Sequence, residues 1–241
     1  MREIEELYAA FAHVPRPAAP SGCPCCVDPE EGQALLRRRP RDLGVEELSR
    51  YAAKVLNTWG GPEDLRYFAP RLLELAAHDA FIWPDPEIVF GKFAQAGWRT
   101  WGQRDALAAF FDAFWTRTLE RFPNRPSVDT SLCALAAAEA DIPRYLDEWG
   151  RLASEAPIRH LHEFAVHGLT WTRGTPRLSN AFWDASAPSY RRVVDWLTGG
   201  PAAEAVAAAF ARTDDEAVLH LLAETDSALL DPGAALGVTW P

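Results

Sequence analysis

Apolar residues return every three or four positions along almost the whole chain, as in Leu65, Phe68, Leu72 and Leu75 and again in Leu107, Phe110 and Phe114. That spacing puts them on one face of an α-helix, whose turn brings positions i, i+3, i+4 and i+7 together. No stretch alternates with period two for long enough to build a sheet, so the pattern predicts an all-α chain. Punctuation supports it. Asp28-Pro29-Glu30-Glu31, Pro62-Glu63-Asp64 and Gly200-Pro201 join a cap or turn residue to a proline in the first helical turn, and Gly60, Gly150 and Gly168 stand where helices should end. The predicted helices span about residues 2 to 12, 29 to 39, 45 to 58, 62 to 78, 85 to 96, 102 to 121, 128 to 138, 142 to 153, 156 to 167, 187 to 198, 201 to 212 and 214 to 229. Residues 170 to 186 form the longest irregular piece.

Tryptophan recurs at expected helix ends, at Trp59, Trp101, Trp149 and Trp196, in steps of 42, 48 and 47, and the first two carry the same Thr-Trp-Gly triplet. Steps of this size match two-helix solenoid units. Each indole would close the seam between neighbouring helix pairs, with the following glycine taking the left-handed backbone that stops a helix. Through these Trp-Gly ends and the mid-helix Pro70, residues 45 to 212 resemble HEAT-like α-helical repeat proteins. The resemblance implies a curved array of paired antiparallel helices, and no activity. The expected organisation is one domain over 1–241: residues 1–44 with a helix, a Pro-rich linker and a cysteine loop, residues 45–212 with the helical pairs, and residues 213–241 with a last helix and tail.

The 241 residues, 48% of them hydrophobic, suffice for a substantial core. A balance of 24 basic and 34 acidic residues, net −10, disfavours adhesion to nucleic acid or anionic membranes, which needs cationic surface. Arg37, Arg38, Arg39 and Arg41 are the one basic cluster, and read as a solvated helix end. No apolar run approaches membrane-spanning length, and the charged start Met1-Arg2-Glu3-Ile4-Glu5-Glu6 lacks the h-region of a secretory signal. A cytoplasmic location with reduced thiols is expected. Arginine displaces lysine everywhere except Lys54 and Lys92, and alanine is abundant, which suggests a GC-rich bacterial genome.

Three of the four cysteines fall in Cys23-Pro24-Cys25-Cys26, ahead of a helix start and behind the stiff segment Pro15 to Ser21. Cys23 and Cys26 have the spacing with which two thiolates grip one zinc ion, and Pro24 stiffens the turn, but no second such pair follows. Cys25, Cys133 or His13 would have to complete the set. Two other readings stand beside this one: a redox or nucleophilic thiol, with Cys26 near the positive end of a helix, and a loop whose cysteines only pack. A second candidate is His160, Glu163 and His167, which share one helix face. Glu74/His78 and Glu216/His220 repeat the Glu-x-x-x-His spacing, though di-iron helical proteins use Glu-x-x-His. Phe110, Phe111, Phe114, Trp115 and Phe122 read as core. Nucleotide-binding, zincin and hydrolase signatures are absent. The reading this supports is a protein-binding scaffold, adaptor- or immunity-like, whose acidic surface suits a basic protein partner, possessing at its Cys loop a candidate structural zinc site. The alternative is a helical metalloenzyme or a thiol-dependent enzyme.

Overall fold

The computed structural model describes residues 2–18, 20, 22, 23 and 25–230. Pro24 and the tail from residue 231 onward, both part of the expectations above, lie outside the described residues. Twelve α-helices are present among them: α1 (Arg2–Phe11), α2 (Pro29–Leu36), α3 (Val45–Lys54), α4 (Pro62–Ala76), α5 (Pro86–Gln95), α6 (Arg104–Glu120), α7 (Val128–Ala137), α8 (Ile142–Trp149), α9 (Glu155–Glu163), α10 (Pro188–Thr198), α11 (Pro201–Phe210) and α12 (Glu216–Leu229). The chain is mostly helical, as the apolar spacing predicts. No helix of the described residues is long and apolar enough to cross a membrane.

The helix starts follow from local chemistry. Asp28 accepts the Glu30 N–H at 2.9 Å while Glu31 accepts the Asp28 N–H at 3.2 Å, a capping box that satisfies two orphan donors of α2. Asp64 accepts the Gly61 N–H at 2.7 Å ahead of α4, and Asp215 accepts from Ala217 and Val218 at the start of α12. Pro70, with no N–H to give, sits inside α4.

The described residues group into two compact units. The first takes the chain through Phe114 together with Ala137–Ala140. Its core holds Leu48, Tyr51, Phe68, Phe90, Phe110 and Phe111, and α1, α3 and α5 pack on α4 or, for α3, on α5 as well. The second takes Trp115–Ala136 and the chain from Asp141 onward. There α12 packs on α9 and α11, and α10 on α8 and α11. Trp149 is wholly buried at its centre, stacked on Trp196 at 5.3 Å and edge-on to Trp115 at 5.6 Å.

Two expectations are corrected. The irregular piece contains a two-stranded antiparallel sheet, β1 (Leu169–Thr172) with β2 (Thr175–Leu178), Leu169 facing Leu178. Arg173 and Gly174 both have positive φ, 51° and 74°, the signature of a two-residue turn whose twist matches the strands. Four residues per strand are too few to show as alternation. Glycine takes the left-handed backbone after Trp59, where Gly60 has φ +74°, but Gly150 is right-handed at φ −59° and Gly102 has no positive φ. The tryptophans also occupy different places: Trp149 is the last residue of α8, Trp196 lies within α10, and Trp59 bridges to Gly22 and Val55 beyond the end of α3.

Candidate functional site

The cysteine loop is built onto the end of α3. Gly22 forms an antiparallel bridge with Trp59, and the Cys23 N–H donates to the Thr58 carbonyl at 2.8 Å. The chain then turns back, because the N–H groups of Cys26 and Val27 both donate to the Cys23 carbonyl, at 2.8 and 3.0 Å. Val27 is buried beneath the turn, and a Cβ on Gly22 would lie 2.5 Å from the Val27 Cβ, so only glycine fits there. The carbonyl of Cys26 accepts from the Arg50 guanidinium at 2.7 Å and from Lys54 Nζ at 3.1 Å.

This closed turn gathers the sulfurs. Cys23 Sγ and Cys25 Sγ are 2.9 Å apart, Cys25 Sγ and Cys26 Sγ 3.4 Å, and all three lie within 4.8 Å of one another. Three sulfurs each about 2.3 Å from one tetrahedral ion would stand roughly 3.8 Å apart, so small rotations of the side chains would admit an ion. The three cysteines could therefore hold a metal. The hydrogen bond between Cys25 and Cys23 has an electrostatic consequence: it holds the Cys23 thiol below its ordinary range and pushes Cys25 up to about 11. With Cys25 as donor the bond favours the thiolate form of Cys23, the form that binds metals and attacks electrophiles. Among the described residues this is the one group of three or more potential ligands gathered so closely. Of the three expected completing ligands only Cys25 belongs to it: Cys133 is buried in α7, and His13 is exposed beyond α1.

The second candidate does not gather. The helix carrying it ends at Glu163, and Phe164–Gly168 follow as a π-turn that breaks the stripe before His167. His160 is buried and turns elsewhere, its Nε2 donating to the Arg121 carbonyl at 2.7 Å and its ring edge-on to Phe122 at 5.0 Å. Burial pushes its pKa down, keeping the imidazole neutral. The other Glu/His pairs are local contacts. His78 Nδ1 meets the Glu74 backbone carbonyl at 2.6 Å, while the Glu74 carboxylate accepts from Tyr8 and Arg71 at 2.7 and 2.8 Å. His220 pairs with Glu224 rather than Glu216.

Glu163 and His167 instead line a small cavity of about 130 Å³ with Ser127, Val128, Asp129, Phe164 and Gly168. Asp129 is the residue the sequence reading missed. Burial raises its carboxyl to about 6 against the opposing hydrogen bond from Trp183 Nε1, 3.0 Å away. Nothing local in the sequence marks it, and the indole that bonds its carboxylate lies 54 positions further on. Three of the four arginines in the cluster form ion pairs, Arg38 with Glu47 at 2.5 Å, Arg39 with Asp42 at 3.2 Å and Arg41 with Glu5. Comparison with protein-family models, with curated proteins and with solved structures finds no match to this chain.

Proposed function

We propose that this protein binds a thiophilic metal ion through Cys23, Cys25 and Cys26, with zinc the ion suggested by the spacing of Cys23 and Cys26. The observation that carries the reading is the mutual approach of the three sulfurs within 4.8 Å on a turn closed by its own backbone hydrogen bonds. Thiolate sulfur selects soft and borderline ions, zinc and copper(I) foremost. With the loop docked on Arg50 and Lys54 of α3 and on Thr58 beyond it, a bound ion would fasten the loop within the first unit and stabilise it by mass action. Elemental analysis of reduced, untagged protein beside a Cys23→Ser, Cys26→Ser variant tests this. About one metal ion per parent chain and none in the variant is expected. Metal well below one per chain in both, with freely titrating thiols in the parent, ends the reading and leaves the loop as a redox or packing element.

A second reading, the acidic scaffold for a basic protein partner, draws on a separate observation: Ile82 is fully exposed and Trp83 half-exposed in the loop between α4 and α5. Two large apolar side chains exposed side by side offer a partner protein apolar surface to cover. In this reading the helical pairs stack as a HEAT-like curved array and the excess of acidic charge steers the partner. A photoreactive residue at position 83 would identify the partner. Association that does not slow as salt rises would remove the basic partner.

A further inference from the structure

If the loop of Cys23, Cys25 and Cys26 is the metal site proposed above, its donor count selects the ion. A structural zinc site wants four ligands in a tetrahedron. The loop offers three sulfurs, and among the described residues no histidine, carboxylate or further cysteine joins them within 4.8 Å. Cys25, whose sulfur touches both others, is also the exposed one, so a zinc ion here would complete its shell with solvent. Three soft thiolates with no harder donor are instead a full set for monovalent copper, which is satisfied by two or three sulfurs. We infer that the loop is a three-coordinate thiolate site that takes copper(I) in preference to zinc, with Cys23, Cys25 and Cys26 all as ligands.

Charge and preorganisation agree. One monovalent ion and three thiolates leave two negative charges, and two cations, Arg50 and Lys54, stand on the Cys26 carbonyl. Glu31 takes a share of Arg50 through an ion pair, which fixes the guanidinium beside the turn. The backbone bonds from Cys23 to Thr58 and from Cys26 and Val27 to Cys23 use no sulfur, so the turn that gathers the three side chains is held by the main chain itself. Exposure of Cys25 leaves one side of the ion open to an incoming thiolate, which suits an ion that is passed on rather than kept.

The two metals make different demands on Cys25. A zinc grip of the Cys-x-x-Cys type uses Cys23 and Cys26 and leaves Cys25 dispensable; a three-sulfur copper site does not. The experiment is an anaerobic titration of reduced, full-length protein with copper(I), in competition with a chromophoric copper(I) chelator, followed by addition of one equivalent of copper(I) to zinc-loaded protein. One copper(I) per chain is expected, with zinc released, and Cys25→Ser should weaken copper(I) binding by roughly 100-fold or more. Because Cys25 is exposed, that variant should keep the parental circular dichroism, which is recorded alongside. Zinc that resists one equivalent of copper(I), or copper(I) affinity unchanged in Cys25→Ser, overturns the inference while the metal-binding reading stands. Binding of neither metal overturns both.

Discussion

A carboxyl raised to about 6 is a cost at neutral pH, and Asp129 bears it while accepting a hydrogen bond from the neutral indole of Trp183. The folded state holds the proton up to about 6, the unfolded chain only to about 3.8. Between those values the folded form binds more protons, so this residue's contribution to stability falls as pH rises through the window and stays low above it. Asp129→Asn keeps an acceptor for Trp183 and removes the charge. At pH 7 it should stabilise the second unit by about 2 to 3 kcal/mol, a gain that vanishes below about pH 4, as read by denaturant melts at both pH values. A variant less stable than the parent at pH 7 would mean that the carboxylate has a cationic partner after all. His160 works in the opposite direction: its depressed pKa leaves it neutral in the fold, so its contribution is present above the unfolded value of 6.5 and is lost as pH falls below it. Stability is commonly given up at functional sites, which makes the cavity of Asp129, Glu163 and His167 worth mutating for activity as well. The cysteine loop was legible because its three sulfurs are neighbours in sequence. Asp129 was not, because what perturbs it is burial in the folded unit, and its indole partner comes from a distant segment.

Helices were legible at the level of elements because each carries its own signal, a cap, a first-turn proline and a 3.6-residue apolar face, and Asp28, Asp64 and Asp215 perform the capping their positions suggest. The hairpin was not, for the opposite reason. Its strands are short, Pro176 removes a donor from β2, and the informative residues are the two of the turn, Arg173 and Gly174. The hairpin and the π-turn explain each other. A π-turn leaves its last carbonyls without the usual helical donors, and Ser179 at the end of β2 supplies two, its Oγ to the His167 carbonyl at 3.0 Å and its N–H to that of Gly168 at 2.9 Å. Gly174→Ala puts a Cβ on a left-handed residue at a cost of about 1 kcal/mol. Amides of β1 and β2 should then exchange with solvent about fivefold faster under native conditions, while those of α10 and α12 are unchanged. Equal exchange in parent and variant would show that Ser179, rather than the turn, holds the pair closed.

Across the whole molecule, tryptophan supplies the packing scheme in each unit taken by itself, though not by the equivalence the spacing suggests. Three buried indoles tie separate elements together through backbone carbonyls: Trp98 to Ala138 at 2.9 Å in the first unit, Trp115 to Tyr145 and Trp149 to Pro157, each at 3.0 Å, in the second. Trp98 and Trp115 do not belong to the repeating series of sequence steps, and Trp59, which does, is buried with its Nε1 lacking a hydrogen-bond partner. The two groups therefore separate in their response to a substitution that keeps the ring and deletes the N–H. In Trp98→Phe, Trp115→Phe and Trp149→Phe a buried carbonyl loses the indole donor, a loss of about 1 kcal/mol on top of the lost volume. In Trp59→Phe the deleted donor was unpaired, so the volume term acts alone and is offset by relief of the unmet N–H. Chemical denaturation of the four variants should place Trp59→Phe as the least destabilised by about 1 kcal/mol or more. If Trp59→Phe is instead as destabilised as the other three, the indole N–H contributes nothing that separates the two groups, and the hydrogen-bond account of the four rings fails.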